Sequence, residues 1–271
     1  MNRLCVLIPV FNNQAGLQRT LASLDRALGD FDVLVVDDGS TVPIFTPAIS
    51  ASNRRVMLHR LPKNRGITCA LNEGLRLASK SGYTYIGRVD SSDTVAPTRF
   101  PRQTTYLDRN ERCGIVGSFI QFVDMTGAEL FVYRAPASHT GIKRRMRSEN
   151  CLIHSGVTMR ASTLASVGGY REACLTSEDY DLFLRMLRKG EAAVLPVALT
   201  TCEYNLTGIS VARRRKQQRE RLSLQMRYFA PADWVAYYGI VRTFLAMAIP
   251  HGPVLRFKRM FFANASSRHA A

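Results

Sequence analysis

The chain has 271 residues, 46% of them hydrophobic, and 37 Lys and Arg against 21 Asp and Glu give it a formal net charge of +16. That apolar content excludes a disordered chain, and the length suits one α/β domain with an appendage. The charge predicts an anionic partner: nucleic acid, an anionic membrane or phosphorylated substrates. The six cysteines (Cys5, Cys69, Cys113, Cys151, Cys174 and Cys202) form no CxxC and no cluster with His at ligand spacing. They read as reduced, mostly buried small apolar residues of a cytosolic protein. Leu4–Phe11 is apolar but short, with no small-residue cleavage pattern after it, so no secretory signal is expected.

In chain order, Leu4–Val10 is a continuous apolar run, the mark of a strand buried on both faces. Gln14–Leu28 has Leu17, Leu21, Leu24 and Leu28 at helical spacing. Phe31–Val36 and Val56–His59 predict two more strands. Ile67–Ala78 predicts a helix with Leu71, Leu75 and Ala78 on one face. Tyr83–Val89 is a fourth strand, and Pro97 then opens a helix. This order implies an α/β fold, a mostly parallel sheet with helices on both faces. After about Cys113 the pattern changes. Ile115–Phe122 and Glu129–Tyr133 predict a hairpin about Thr126-Gly127. Lys143–Arg147 is basic, Leu182–Arg188 is a helix preceded by acids, and Thr200–Tyr204 is a final strand. The expected division is one domain over 1–210, with a first half 1–112 and a second half 113–210 that reads as an acceptor-binding subdomain sharing the same sheet, followed by a basic appendage over 211–271.

Polar clusters stand where strands end, which is where open α/β sheets bind ligands. Val36-Asp37-Asp38-Gly39-Ser40 places two carboxylates after a buried strand, with Gly39 permitting a sharp turn. Such a carboxylate can accept a uracil imide N–H or bond a ribose; the cluster can equally be a capping turn. Asp90-Ser91-Ser92-Asp93 follows the fourth strand. Clustered acids there suit a divalent cation neutralising a diphosphate, or a polar loop capping the next helix. Thr176-Ser177-Glu178-Asp179-Tyr180-Asp181 puts three acids before an amphipathic helix. The macrodipole favours them there, and one of them can serve as a general base toward a sugar hydroxyl. His154, in Ile153-His154-Ser155-Gly156, is a structural histidine or a phosphate contact.

Together these motifs resemble the family 2 glycosyltransferases, and the resemblance covers about Leu4 to Ser210. Pro9-Val10-Phe11-Asn12 resembles the family's opening motif, and Asp37–Ser40 its nucleoside-binding turn. Asn64-Arg65-Gly66 with Ala70-Leu71-Asn72 resembles its next signature, and Asp90–Pro97 lies where its Asp-x-Asp motif lies. His154–Val157, Gly168-Gly169-Tyr170 and Glu178–Arg185 follow in family order. The resemblance implies a single GT-A-type domain and an inverting, non-processive transfer from a nucleotide-diphosphate sugar, UDP-linked, to a glycolipid or polysaccharide acceptor. It implies nucleotide-sugar contacts at Pro9, Phe11, Asn12, Asp38, Asn64, Gly66, Asn72 and Asp90, acceptor or phosphate contacts at His154 and Glu178, and Asp179 as the base. It further implies Mn²⁺ or Mg²⁺ at Asp90 and Asp93. One departure stands out: Ser92 occupies the family's usual metal-ligand position, and a hydroxyl is a weaker ligand for a hard cation than a carboxylate, so Asp90, Asp93 or His154 is expected to compensate or a basic side chain to take over part of the metal's role.

The appendage carries a dozen Lys and Arg opposed only by Glu220 and Asp233. Trp234–Ile249 is almost wholly apolar, yet shorter than the roughly 20 residues a spanning helix needs. Arg256, Lys258 and Arg259 alternate with Phe257, Met260, Phe261 and Phe262. Two amphipathic segments on an anionic membrane are expected, with the protein peripheral on the cytoplasmic face of the cell membrane. Nucleic-acid binding would explain the charge but not three acidic clusters at element ends. No GxxxxGK[ST] or GxGxxG is present, which speaks against a P-loop NTPase or a dinucleotide oxidoreductase. The alternative from another class is a catalytically silent scaffold binding a nucleotide-sugar or glycolipid, motivated by Ser92 and opposed by the intact Glu178-Asp179-Tyr180-Asp181.

Overall fold

The computed structural model describes residues 2–46, 54–204 and 214–248. Its described strands are β1 (Leu4–Val10), β2 (Phe31–Asp37), β3 (Val56–Arg60), β4 (Tyr85–Arg88), β5 (Thr94–Val95), β6 (Cys113–Val123), β7 (Glu129–Tyr133), β8 (Thr158–Arg160) and β9 (Glu191–Glu203). They form one sheet in the order β3-β2-β1-β4-β8-β6-β9-β5, with β7 paired to β6. The described helices are α1 (Gln14–Asp25), α2 (Ile67–Lys80), α3 (Arg99–Arg109), α4 (His139–Arg145), α5 (Ala161–Val167), α6 (Glu178–Met186), α7 (Arg214–Arg227) and α8 (Trp234–Ala248).

The parallel sheet expected from the first half is found in β3-β2-β1-β4. Alternate residues of β1 feed two cores, as the period of a strand requires. Leu4, Val6, Ile8 and Val10 pack with Leu17, Leu21 and Leu24 of α1 and Phe100 of α3. Cys5 and Leu7 pack on the other face with Ala70 and Leu71 of α2 and with Phe183 of α6. The fold is therefore α/β with helices on both faces, as expected. Five of the cysteines are buried, Cys69 is half-buried, and all six are free thiols.

The second half is mixed. β8 runs antiparallel to both β4 and β6, while β9 pairs parallel with β6 and antiparallel with β5. The helix expected over Leu182–Arg188 starts earlier, at Glu178, so its acids lie in the first turn rather than before it. The helix expected to open at Pro97 begins at Arg99. The appendage begins as part of the domain: Leu224 of α7 lies in the core, and Gly239 of α8 sits so close to Ser148 that an added Cβ would fall 2.5 Å from its Cα. Asn205, Ile249 and the basic aromatic stretch from Arg256 to Phe262 lie outside the described residues.

Candidate active site

Register brings the motifs together at one rim. β1 and β2 are parallel and end level, Val10 beside Asp37. β1 and β4 are parallel, so Asp90 follows at the same edge. The antiparallel pairing of β4 with β8 sets Gly87 opposite Thr158, which carries His154 and Ser155 to the end of β4. Ser155 Oγ accepts from Asp90 N at 2.9 Å. Arg99 and Gln103 of α3, both fully buried, lock this junction. Arg99 donates to the carbonyls of Ser155 and Arg88, each at 2.8 Å, and Gln103 Nε2 to Gly156 O at 2.8 Å.

The first turn is built from backbone amides. Asp37 Oδ1 accepts from Ser40 N (2.9 Å) and Ser40 Oγ (2.5 Å). Asp38 is 4% exposed; its two oxygens accept from Arg65 N at 2.8 Å and Gly66 N at 2.9 Å. Burial raises its pKa against those two bonds. Gly39 has φ +67°, and a Cβ there would lie 2.4 Å from the Lys63 carbonyl carbon. Only glycine lets the turn lie against residues 63–64. Ser40 Oγ also accepts from Asn12 N (2.9 Å), and Asn12 Oδ1 from Thr41 N (2.8 Å). Phe11, 44% exposed, and the exposed Asn64 stand beside this turn, above buried Pro9. Asn72 faces elsewhere. Its amide exchanges bonds with the Tyr170 backbone, donating to Tyr170 O (2.8 Å) and accepting from Tyr170 N (2.9 Å). It braces the Gly168–Tyr170 loop, so the donor contact expected of it is corrected to a scaffold role.

The second cluster divides. The Asp90 side chain is 44% exposed and pairs with Arg88, whose guanidinium is wholly buried. Ser92 has φ +135°, a strained value for a residue with a side chain; its Oγ accepts from Asn13 Nδ2 at 2.9 Å. Asp93 turns inward, 7% exposed, and accepts from Cys202 Sγ at 3.1 Å because β5 pairs with β9. Burial, then the charge of Asp90, pushes its pKa up to about 6. The expected pairing of Asp90 and Asp93 around one cation is thus corrected: the first faces the rim, the second the interior. Among the described residues no three His, Cys, Asp or Glu side chains converge on a metal position.

The third cluster sits opposite. Asp179 Oδ2 accepts from Asn150 Nδ2 at 2.8 Å, and Oδ1 from Tyr180 N at 2.7 Å. Burial, with Asp90 adding to it, pushes the Asp179 pKa up to about 6. Burial and then Asp179 push Glu178, 9% exposed, up to about 8. Asp181 is separate, wholly buried and paired with Arg185 (2.8 Å) and Arg171 (3.2 Å). His154 is 8% exposed, its Nε2 lies 2.7 Å from Tyr170 Oη, and its ring meets Phe183 edge-on. Burial and the charge of Arg88 hold its pKa well below the usual value. The structure thus shows a covered ring bonded to Tyr170, disfavoured as a cation; the phosphate contact expected of it would be made by a neutral imidazole.

Arg88, Asn150, Arg99 and Tyr170 are site residues to which the sequence alone assigned no role. An apolar strand run ending in Arg88-Val89-Asp90 was the one signal available for Arg88, since a buried arginine there needs an acid.

Residues 5–167 match the family described as Glycosyl transferase family 2. The chain belongs to glycosyl transferase family 2. It is 29% identical over 203 residues to the amylovoran biosynthesis glycosyltransferase AmsE of Erwinia amylovora, covering 72% of this chain and 73% of that one. It is 25% identical over 169 residues to the O-antigen biosynthesis glycosyltransferase WbnJ of Escherichia coli, covering 61% and 64%. Its fold matches S. aureus TarS 1–349, solved with UDP-GlcNAc, at TM-score 0.64 and 13% identity over 90% of this chain and 72% of that chain. It matches the mannosyltransferase PcManGT of Pyrobaculum calidifontis, solved with GDP-Man and Mn²⁺, at TM-score 0.63 and 15% identity over 96% and 80%. This family 2 chain is a glycosyltransferase with a mixed α/β domain.

Proposed function

We propose that the protein is an inverting, non-processive glycosyltransferase that moves a sugar from a UDP-sugar to a glycolipid or polysaccharide acceptor in surface-polysaccharide synthesis. The observation that carries this reading is Asp179, a carboxylate held by Asn150 at the start of α6 with its pKa raised toward neutrality. Such a group accepts a proton efficiently near neutral pH. The acceptor hydroxyl oxygen forms a bond to the anomeric carbon while Asp179 takes its proton. The bond from that carbon to the diphosphate oxygen breaks, and the nucleoside diphosphate leaves with the electron pair. Attack and departure on opposite faces invert the centre.

The Asp37–Ser40 turn, Phe11 and Asn64 would hold the nucleoside. Glu178, protonated at neutral pH, would donate a hydrogen bond to acceptor or phosphate oxygen. Residues 1–112 would serve the donor and 113–210 the acceptor. Asp90 is the carboxylate of its loop that could hold a divalent cation, because hard ions accept one protein carboxylate when substrate phosphates complete the shell. That ion would neutralise charge on the diphosphate. Membrane attachment would come from α8, whose Trp234 (67%), Tyr238 (52%), Val241 (56%) and Phe244 (64%) are exposed on helical spacing. No described helix is long and apolar enough to cross a membrane.

Asp179→Asn keeps the shape and removes the base. Transfer should fall by well over about 100-fold while UDP affinity stays near wild type. Near-normal turnover in that variant would remove Asp179 from the mechanism, and the silent-scaffold reading would gain if wild type transferred no sugar from any nucleotide donor.

A further inference from the structure

Helix α7 lies across the start of α6. Its positions 217, 220, 224 and 225 recur at helical spacing and all point inward. Glu220 accepts from Thr176 N (2.8 Å) and Thr176 Oγ1 (2.7 Å), and Gln217 Nε2 donates to Thr176 O at 3.3 Å. Leu224 is in the core, and Gln225 Nε2 donates to Ser148 O at 2.8 Å. The two segments thus held, at 176 and at 148, lead within three residues to Asp179 and Asn150, which bond each other. Arg221 lies on this inward face between the two anchors, and so over the Asp179–Asn150 pair.

Arg221 is half-buried and has no hydrogen bond or ion pair among the described residues. The carboxylate beside it, Glu149, is already committed, to Arg145 through Oε1 and to Arg242 through Oε2. Arg145 and Arg242 thus occupy both oxygens of Glu149 and leave neither for Arg221. Burial, with the charge of Arg242 adding to it, lowers the Arg221 pKa, while Tyr180, Glu149 and Asp179 pull it back. A partly dehydrated cation without a partner is costly. The guanidinium fork matches two phosphate oxygens at once, and an arginine so placed is a phosphate ligand in waiting.

We propose that Arg221 binds the diphosphate of a substrate next to Asp179. This rests on the glycosyltransferase reading above and goes beyond it by naming a cation outside the Asp90–Asp93 loop, where Ser92 brings no charge. The diphosphate can belong to the nucleotide donor or to a lipid-linked acceptor, whose tail would find the exposed apolar side of α8 beside Arg242.

Calorimetric titration of UDP, uridine and farnesyl diphosphate into wild type, Arg221→Gln and Arg221→Lys decides it, with melting curves for each. Arg221→Gln should lose roughly 10-fold or more in affinity for UDP or for farnesyl diphosphate, with uridine unchanged and the lysine variant between. Loss toward UDP assigns the residue to the donor, and loss toward farnesyl diphosphate assigns it to the acceptor. Unchanged affinity for both diphosphates in a variant that melts like wild type overturns the inference. Should Arg221→Gln unfold, the same two outcomes are read from Arg221→Lys. A wild type that binds farnesyl diphosphate but not UDP defeats the donor reading instead, and leaves Arg221 to be judged on the lipid arm.

Discussion

The Asp37-Asp38 turn and the Glu178-Asp179 helix start each present adjacent carboxylates at the same rim, and they solve opposite problems. In the first, three oxygens are met by backbone N–H groups or the Ser40 hydroxyl, within 2.5–2.9 Å. The acids there fix the chain. In the second, Glu178 and Asp179 each have their pKa raised by burial and by neighbouring acids. They face one another and Asp90, and a group that resists ionisation is ready to exchange a proton. Identical residue types thus build a braced turn in one place and a pair of acids with raised pKa in the other. Asp179 also has a donor on each oxygen, from Asn150 and Tyr180 N; what distinguishes its cluster is burial together with the nearby charge of Asp90, which pushes Asp179 up to about 6 and Glu178 up to about 8.

The largest effect expected from this contrast belongs to Asp38. Asp38→Ala strands the amides of Arg65 and Gly66, and two bonds to a charged acceptor are lost at about 1.5–3 kcal/mol each. Stability should fall by about 3 kcal/mol or more in urea unfolding, and UDP affinity should fall with it as the turn loosens. A variant as stable as wild type would show that this turn is not braced as described.

The contrast also shows what was legible in the sequence. β1, β2 and β4 are buried on both faces; an unbroken apolar run announces β1, and runs interrupted by Asp32 in β2 and by Gly87 and Arg88 in β4 announce the others. α1 and α2 follow from leucine spacing. β5, with two residues, and β8, with three, are too short to carry any period. β9 runs from Glu191 but was visible only from Thr200, because Pro196 interrupts the pattern; a register shift between Ser118 and Phe119 of β6 accommodates it. Rim acids were legible because they follow strands. Their orientation was not. Asp93 turns inward only because β5 pairs with β9, a contact 109 residues away in sequence. Asn150 and Glu220 meet Asp179 and Thr176 over 29 and 44 residues, and no local signal marks them.

A second consequence concerns pH. Asp179 must be ionised to take a proton, and its pKa is pushed up to about 6. The turnover rate at saturating donor should therefore drop about tenfold per pH unit below about 6. An unperturbed aspartate would hold its rate to roughly pH 4. A profile flat from pH 7 to 5 would remove the raised pKa from the account and bring the two acidic turns closer in character.

The smallest effect sharpens the comparison most directly, because it asks whether the second turn is destabilising as it stands. Glu178 has a folded-state pKa of about 8, raised from 4.5 by burial and by Asp179. Between those values the folded chain keeps a proton that the unfolded chain has released, so stability is fully present below about 4.5 and declines as pH rises toward about 8. Glu178→Gln removes the titrating group and keeps the shape and a hydrogen-bond donor. At pH 8 the variant should be more stable than wild type, with a higher Tm. At pH 4.5 the two should melt together, since wild-type Glu178 is then neutral as well. The same change at the first turn, Asp38→Asn, should lower Tm at both pH values, because there the carboxylate is the acceptor that two backbone amides require. A Glu178→Gln variant less stable than wild type at pH 8 would mean that its carboxylate, too, is held by the fold rather than reserved for chemistry.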